Sequence, residues 1–288
     1  MNSIFRDRRR GLIAAGAMAA AMVLAGVAAP ALAEQSATPA GELSPADTMV
    51  KKYDHPMGSQ IRLHEGTEAM PPRGFDPQDV VVQATVAGID VSGHQGNVDW
   101  PAQWNAGKRF VWVKATEGTG YINPYFAQQY NGSYNQGFIR GAYHFALPDR
   151  SSGATQANYF SSHGGGWSGD GKTLPGALDM EYNPYGATCY GLSKAAMTSW
   201  ILSFSDTYKA RWNKYPAIYT STSWWSQCVS GDFSSTNPLW VARYASAPGT
   251  LPNNWGFYTV WQYSSSPIDQ NTFNGDMSRL VAFATNHD

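Results

Sequence analysis

Short apolar runs alternate with helix-like segments along most of the chain, and this alternation restricts the possible fold more than any other feature. Seven runs have the length and the β-branched or aromatic content of buried strands: residues 86–91, 110–115, 139–145, 176–181, 217–220, 239–243 and 258–263. Helical patterns lie between several of them, at residues 125–136, 155–162 and 193–209. Strands that alternate with helices pair in parallel. After about Ser226 the helix patterns fade while strands continue. We therefore predict an α/β barrel whose last strands lack helices.

The first 80 residues do not share this pattern. Residues 1–33 begin with a basic run, continue with an apolar stretch over residues 12–27 and end in a small-x-small sequence at Ala33, which is typical of a secretory signal peptide. A membrane anchor is the alternative, but the apolar stretch is shorter than the ~20 residues that span a bilayer. Residues 34–80 lack sustained periodicity, so they are interpreted as a pro-segment or a flexible linker and are excluded from the core.

The remaining region, residues 81–288, is long enough for one barrel domain. It contains six Lys and six Arg against ten Asp and two Glu, so its net charge is zero. Because no basic run marks a nucleic-acid footprint, we expect no nucleic-acid partner. No further stretch is apolar enough to span a membrane.

Aromatic residues are abundant, with 11 Trp, 16 Tyr and 12 Phe in the whole chain. Many are expected to be core residues, but an exported, neutral, aromatic-rich protein also suits sugar binding, because pyranose faces stack on aromatic rings. The two cysteines, Cys189 and Cys228, are favoured as a disulfide by their even number and the export signal. A catalytic Cys–His pair is the alternative. Two cysteines are too few for a four-thiolate zinc site.

Polar side chains fall at or just after the ends of the predicted strands, where a parallel barrel places its reactive groups. They are Asp90, Glu117, His144, Asp179 and Glu181. Asp179 and Glu181 are two residues apart on a strand, so their side chains point to the same side. Two neighbouring carboxyl groups push their pKa values apart, which leaves one protonated as a general acid and the other anionic. Glycosidic bond cleavage requires this pair.

Each acid also has a structural interpretation. Asp179 and Glu181 could form a surface pair or bind backbone amides in the turn that follows. Glu117 is the other Glu of the region and lies in a Gly-rich stretch where an acid can be fully solvated or can bind backbone groups. Asp90 ends the first strand, and Asp269 follows what the sequence indicates as the last strand. Either could be a turn residue, but in a closed barrel the first and last strands are neighbours, so both could join one acidic cluster.

Other catalytic classes find little support. His144 is interpreted as a hydrogen-bonded core residue and His94 as a loop residue. No GxSxG elbow indicates a serine hydrolase. The acids do not have the spacing of a calcium loop, and no metal site is predicted.

Several motifs together resemble glycoside hydrolase family 25, the Chalaropsis-type lysozymes. In chain order they are GIDVSGHQG (88–96), VKATEG (113–118), RGAYHF (140–145), LPGALDME (174–181) and VWQY (260–263). Individually these motifs are weak, but together they cover the chain from about residue 86 onwards. Two departures occur, at Tyr182 and at Arg243-Tyr244, where close members often have His and an aromatic-rich pairing.

The resemblance implies an N-acetylmuramidase that cleaves the β-1,4 bond between N-acetylmuramic acid and N-acetylglucosamine in bacterial cell-wall peptidoglycan. It also implies a flattened barrel of five β/α units and three further strands, acting without a cofactor. We expect a secreted monomer. The catalytic acids of the family map onto Asp90, Asp179, Glu181 and Asp269, with Glu181 as the proton donor and Asp179 as the charge stabiliser. Tyr143 and Tyr219 correspond to positions that line the sugar cleft. Cys189 and Cys228 lie where some members pair cysteines.

Two mechanisms stay open at this level. Either the 2-acetamido group of the sugar acts as the nucleophile and Asp179 stabilises the cyclic intermediate, or Asp179 activates a water for direct attack. Two other functions are also compatible with the fold. A chitinase-like barrel also ends a strand in Asp-x-Glu, although its additional upstream Asp residues are absent here. A non-catalytic sugar-binding barrel would be expected to lack one of the two acids.

Overall fold

The strands of the protein form a closed barrel. A computed structural model describes residues 44–68 and 84–287, so the predicted signal peptide (residues 1–33) lies outside the described residues, as do parts of the predicted pro-segment. The described strands are β1 (Val86–Val91), β2 (Phe110–Glu117), β3 (Tyr121–Ile122), β4 (Ile139–Phe145), β5 (Ala177–Asp179), β6 (Ala217–Thr220), β7 (Leu239–Ala242), β8 (Val260–Ser264) and β9 (Gln270–Phe273).

The order of strand pairing closes the barrel. Around the sheet the strands follow β1-β9-β8-β7-β6-β5-β4-β2, and β1 also pairs with β2. The strands are parallel from β1 through β2 and β4 to β8. Strand β9 is antiparallel to both of its neighbours, and β3 is a short hairpin partner of β2. Because the carboxyl ends of parallel strands lie at one end of a barrel, the side chains that follow them can meet there.

Helices follow the first five barrel strands and are missing between β7 and β8 and between β8 and β9. These helices are α3 (Trp100–Asn105), α4 (Phe126–Gln136), α5 (Gly153–Ser162), α6 (Lys194–Trp212) and α7 (Thr222–Cys228). Two further helices, α1 (Pro45–Tyr53) and α2 (Ser59–Glu65), precede β1, and α8 (Met277–Thr285) follows β9. The predicted architecture of five β/α units followed by three strands is confirmed.

Helix α6 forms for local reasons that the sequence already indicates. The Ser193 hydroxyl accepts a hydrogen bond from the Ala196 backbone N–H and caps the first turn. The apolar side chains at Met197, Ile201 and Phe204 are buried on one side. These positions recur at the three- and four-residue steps of one helix face, which packs on α5 and the barrel.

Helix α8 is absent from the sequence prediction, which expects helices to fade after about Ser226. Its first turn is capped by Asp276, whose carboxylate accepts the Arg279 backbone N–H at 2.9 Å. Leu280 and Ala284, four residues apart, are buried on one face. The helix follows the last strand and covers the barrel from outside, so the prediction is wrong at this point. The crossover helices α3 and α7 were also missed, since six or seven residues are too few to show periodicity.

The barrel interior contains many of the large aromatic side chains. Trp112 and Trp240 pack against each other with ring centroids 4.6 Å apart, and both are fully buried. The indole N–H of Trp112 donates to the Pro175 carbonyl oxygen at 2.9 Å, which satisfies its polar atom. The high tryptophan content is therefore in part a requirement of the core.

Residues 44–68, named the N-terminal segment from here on, pack against the barrel. This segment and residues 84–287 belong to one compact unit. Met57 and Ile61 are each 1% exposed and belong to the main hydrophobic core. The exclusion of residues 34–80 from the core is therefore wrong for this segment. Its apolar residues are too few for a periodic pattern, so only the tertiary contacts reveal the role.

Cys189 and Cys228 form a disulfide, with their Cα atoms 5.3 Å apart. It joins the loop after β5 to the last residue of α7. Among the described helices, none combines the length and apolarity needed to cross a membrane.

Replacing both cysteines by alanine is expected to lower the free energy of unfolding by up to about 4 kcal/mol, because the bond closes a loop with a sequence separation of 39 residues. Urea unfolding followed by tryptophan fluorescence measures the change. Wild-type protein reduced with dithiothreitol should unfold at the same urea concentration as the variant. Identical midpoints for oxidised, reduced and substituted protein would contradict this expectation.

Candidate active site

Asp90 lies near the end of β1, with its side chain directed into the barrel. Its Oδ2 accepts hydrogen bonds from the side-chain amides of Gln262 at 2.9 Å and Asn271 at 2.7 Å. These amides come from β8 and β9, so the antiparallel strand that closes the barrel also orients this carboxyl group. Burial raises the pKa of Asp90 to about 7, although the two amide donors act in the opposite direction.

Asp179 is the last residue of β5, and both of its carboxyl oxygens are buried. Within residues 44–68 and 84–287, neither oxygen has a hydrogen-bond partner. Burial and the charge of Glu181 raise the pKa of Asp179 well above its ordinary value. Burying a carboxyl group without hydrogen-bond donors destabilises the fold. Such a group in a native structure suggests that it accepts hydrogen bonds from a bound ligand.

Glu181 lies two residues beyond Asp179, just after the strand. Its Oε1 accepts the backbone N–H of Gly58 at 2.8 Å, and its Oε2 accepts those of Gln60 and Ile61 at 2.9 Å each. Burial raises the pKa of Glu181 to about 7, while the three N–H donors lower it. The strand predicted over residues 176–181 therefore ends earlier, at Asp179, and Glu181 is buried in the loop that follows.

Asp269 does not follow the last strand, as the sequence suggests, but lies between β8 and β9. Strand β9 has no long apolar run, since its sequence is Gln-Asn-Thr-Phe, and this explains why it was missed. Burial and the charge of Asp90 raise the pKa of Asp269 well above its ordinary value. The four predicted acids thus meet at the carboxyl end of the barrel, where their charges affect one another.

The two predicted cleft tyrosines lie on the strands beside β5. Tyr143 on β4 is paired with Ala177, and Tyr219 on β6 is directly opposite Asp179. The Tyr219 hydroxyl donates to Gln262 Oε1 at 2.6 Å. The Tyr143 hydroxyl accepts the Met57 backbone N–H at 3.2 Å. Both rings are fully buried.

Glu117 is not solvated, which is one of the two states that the sequence suggests, but it does bind backbone, since its Oε2 accepts the His55 N–H at 3.1 Å. It is the last residue of β2 and only 2% exposed. Burial alone would raise its pKa, but Lys114 and His55 hold the pKa of Glu117 below its ordinary value. The Lys114 ammonium is 2.7 Å from the Glu117 carboxylate and 2.8 Å from Asp54. The Gly-rich sequence after Glu117 suggests a loop, but the ion pair with Lys114 stabilises the Glu117 side chain in its buried position.

Sequence reasoning missed Lys114, Gln262 and Asn271. The first two are polar residues within apolar runs, Val113-Lys114-Ala115 and Trp261-Gln262-Tyr263. The same anomaly identified Asp179, so a consistent search for single polar residues in predicted strands would have found them. Asn271 lies on the unrecognised strand β9 and offered no comparable pattern.

His144 is a hydrogen-bonded core residue, as predicted. Its ring nitrogens are 2.7 Å from Thr116 Oγ1 and 2.9 Å from Gln156 Oε1. Burial lowers the pKa of His144 to about 4, so the ring is neutral near pH 7. It supports the strand ends from outside the acidic cluster. In the part of the chain that the structure describes, no group of three or more His, Cys, Asp or Glu side chains could hold a metal ion.

Carboxyl groups gathered at the carboxyl end of a (β/α)5(β)3 barrel are an arrangement that can serve glycoside hydrolysis. The sequence profile named Glycosyl hydrolases family 25 matches residues 89–272, and the chain belongs to this family.

Similar proteins come from bacteria and fungi. The chain is 41% identical to Lysozyme M1 of Streptomyces globisporus, over 98% of this chain and 96% of that protein. It is 50% identical to the N,O-diacetylmuramidase of Chalaropsis sp, over 70% of this chain and all of that protein. The crystal structure of the bacterial lysozyme from Streptomyces coelicolor superposes with a TM-score of 0.68 at 48% identity, covering 70% of this chain and 97% of that one.

The buried acids make stability depend on pH in a defined direction. Carboxyl groups with raised pKa values keep their protons in the folded state at pH values where the unfolded chain has lost them, so the free energy of unfolding falls as pH rises from about 4 to 7 and above. His144, with its lowered pKa, has the opposite effect between about pH 4 and 6.5. Because four carboxyl groups act in the first direction and one imidazole in the second, we expect the free energy of unfolding to fall with rising pH.

Replacing Asp179 by Asn removes one of these titrating groups. We expect the melting temperature of Asp179→Asn to exceed that of the wild type at pH 8 and the difference to shrink at pH 4, as measured by differential scanning calorimetry. Asp206→Asn, at an exposed position on α6, is the control and should follow the wild type. Parallel pH profiles for wild type and Asp179→Asn would contradict the expectation.

Proposed function

We propose that the protein is an N-acetylmuramidase of the bacterial cell wall. It would hydrolyse the β-1,4 bond between N-acetylmuramic acid and N-acetylglucosamine in peptidoglycan. The observation that supports this most directly is the pair formed by Glu181, whose pKa is raised to about 7, and Asp179, whose oxygens lack partners within the described residues. Lysozyme M1 and the N,O-diacetylmuramidase are relatives whose names describe the same type of activity.

Glu181 is proposed as the general acid. A pKa near 7 leaves a large fraction of the group protonated at neutral pH, and its proton can pass to the glycosidic oxygen as the bond breaks. Lys114 is close enough to affect the charge of both Glu181 and Asp179. Burial raises the pKa of Glu181, and a bound glycan, which also excludes water from the end of the barrel, would keep the group buried during the reaction.

Asp179 is proposed to stabilise the positive charge that develops on the sugar, in the anionic form that it takes once a bound glycan supplies the hydrogen-bond donors missing from the described chain. Its free oxygens can accept the N–H of the 2-acetamido group, which orients that group for attack on the anomeric carbon. Asp90 accepts hydrogen bonds from Gln262 and Asn271, which favour its anionic form, and in that form it would maintain a negative potential around the reacting sugar. Asp269 would add to this negative potential, because it lies close enough to Asp90 for their charges to interact.

Tyr143 and Tyr219 are proposed to line the sugar site, since Tyr219 is directly opposite Asp179 on β6 and Tyr143 lies on β4, the other neighbour of β5. The protein would act as a secreted monomer outside the producing cell, with no nucleic-acid or membrane partner and no cofactor. The signal-like residues 1–33, the disulfide and the neutral charge of the barrel region support this setting.

Glu181→Gln is expected to lower the rate of peptidoglycan hydrolysis by about 10²-fold or more, because general acid catalysis contributes at least that much. The secreted protein would be incubated with purified peptidoglycan and the new reducing ends counted. Asp206→Asn is the control, and circular dichroism verifies the fold of both variants. Lysis by Glu181→Gln at the wild-type rate would refute the role of Glu181.

The sugar at the new reducing end separates this function from a chitinase-like one. Mass analysis of borohydride-reduced fragments should identify N-acetylmuramic acid at that position. Reduced N-acetylglucosamine would instead support an endo-N-acetylglucosaminidase. Binding of wall fragments without any new reducing ends would support a non-catalytic barrel.

The role proposed for Asp179 predicts the stereochemistry of the product. Attack by the 2-acetamido group followed by water inverts the anomeric carbon twice, so the first product should be the β-anomer. Proton NMR of a soluble glycan within the first minutes of reaction measures this. An α-anomer formed first would indicate direct attack by a water activated by Asp179.

A further inference from the structure

The N-terminal segment lies across the carboxyl end of the barrel, where a glycan would have to enter. Helices α1 and α2 are joined there by residues 54–58. Met57 and Ile61 are buried in the main core, whereas Leu63 on the same short helix is 73% exposed. The segment therefore has an apolar side that faces the cleft and a side that faces solvent.

The central contact of the segment is with Glu181. Backbone N–H groups of Gly58, Gln60 and Ile61 donate to both carboxyl oxygens, at 2.8 to 2.9 Å. Such donors favour the anionic carboxylate and lower its pKa. A general acid needs a proton and needs the glycosidic oxygen within hydrogen-bond distance. The N–H donors of the segment oppose protonation, while the burial that the segment adds favours it. The segment therefore blocks the acid by occupying the place of the glycosidic oxygen.

The same segment covers the tyrosines of the cleft. The Tyr143 hydroxyl accepts the Met57 N–H, and the Tyr244 hydroxyl donates to the Gly58 carbonyl oxygen at 3.1 Å. A Cβ atom on Gly58 would lie 2.0 Å from the Tyr244 hydroxyl and 2.4 Å from the Tyr219 hydroxyl. The backbone there has a φ of +76°, which also favours glycine. No sugar ring can lie on these tyrosines while the segment is bound.

Polar contacts hold the segment at both sides of the cleft. At the end of β2, Asp54 pairs with Lys114 at 2.8 Å and His55 with Glu117 at 2.7 Å. On the other side, the Glu65 carboxylate accepts hydrogen bonds from the hydroxyls of Tyr182 and Ser221. These contacts fix the position of the chain over the acids, because they reach three parts of the barrel: β2, the loop after β5 and the start of α7.

We propose that residues 44–68 are an autoinhibitory pro-segment that fills the catalytic cleft and must leave before glycan can bind. This inference rests on the proposed function, because that function defines the cleft. While the segment is covalently attached, its effective concentration at the cleft is on the order of millimolar, so even modest affinity keeps the cleft occupied. Cutting the chain between residues 68 and 84 makes the segment a separate peptide that can dissociate.

Ile61→Asp in the full chain tests the inference, because it places a charge in the buried contact without changing the barrel. We expect the rate of peptidoglycan hydrolysis and the affinity for soluble peptidoglycan fragments both to rise roughly tenfold or more. Leu63→Asp, on the same helix but exposed, is the matched control and should stay within about twofold of the wild type. Gly58→Ala should act in the same direction as Ile61→Asp, because its Cβ would clash with two tyrosines.

A second measurement does not depend on the folding of these variants. A protease site inserted between residues 68 and 84 allows the wild-type segment to be cut and washed away. A synthetic peptide of residues 44–68 should then restore inhibition and bind the cut protein in calorimetry, whereas the same peptide with Ile61→Asp should do neither. Absence of binding by the wild-type peptide would overturn the inference.

The outcomes separate this inference from the proposed function. If cut and intact protein hydrolyse peptidoglycan and bind its fragments equally, the segment is not inhibitory and the function is upheld. If cutting increases fragment binding but no form hydrolyses peptidoglycan, the segment does cover the cleft and the proposed muramidase activity is wrong. If both binding and hydrolysis rise on cutting, both are supported.

Discussion

The central constraint in this protein is the burial of several carboxyl groups at one end of a barrel. Asp90, Asp179, Glu181 and Asp269 are all nearly inaccessible to solvent, and the negative charge of one raises the pKa of its neighbours. Burial of like charges is unfavourable, so each group needs a compensating arrangement. Amides on β8 and β9 support Asp90, and the three N–H groups of the N-terminal segment support Glu181. Asp179 keeps no such partner among the described residues, and this makes it the group most suited to meet a ligand.

The buried cation Lys114 connects the active site with the N-terminal segment. Its charge lowers the pKa of Asp179 and of Glu181, yet it is itself shared between Glu117 and Asp54. Glu117 belongs to the barrel, whereas Asp54 belongs to the segment. If the segment left, Lys114 would lose its ion pair with Asp54 and keep the one with Glu117. The same event would remove the N–H donors from Glu181 and admit solvent, so the electrostatics of the site depend on whether the segment is bound.

Much of the barrel could be predicted because its strands carry their own local pattern. Strands β2 and β4 are long apolar runs, and α6 has a cap and a buried stripe, so local sequence suffices to recognise them. Strand β9 and helix α8 were missed. The first is a polar strand whose inward positions are filled by Asn271 and Phe273, and the second is a short terminal helix. Asp269 was placed after the last strand for the same reason. Recognising a short, polar strand requires knowing its neighbours, which sequence periodicity does not provide.

The sequence by itself determined the α/β class, the acids at the strand ends and the shared side of Asp179 and Glu181, because two-residue spacing and apolar runs are local properties. Tertiary structure decided what surrounds those acids. The burial of Glu117, the amides around Asp90 and the occupation of the cleft by residues 44–68 all depend on contacts between residues far apart in the chain. The pKa of a carboxyl group and the partners that it can contact depend on the residues that pack against it in the folded protein. Those residues are distant in sequence, so the local sequence does not identify them.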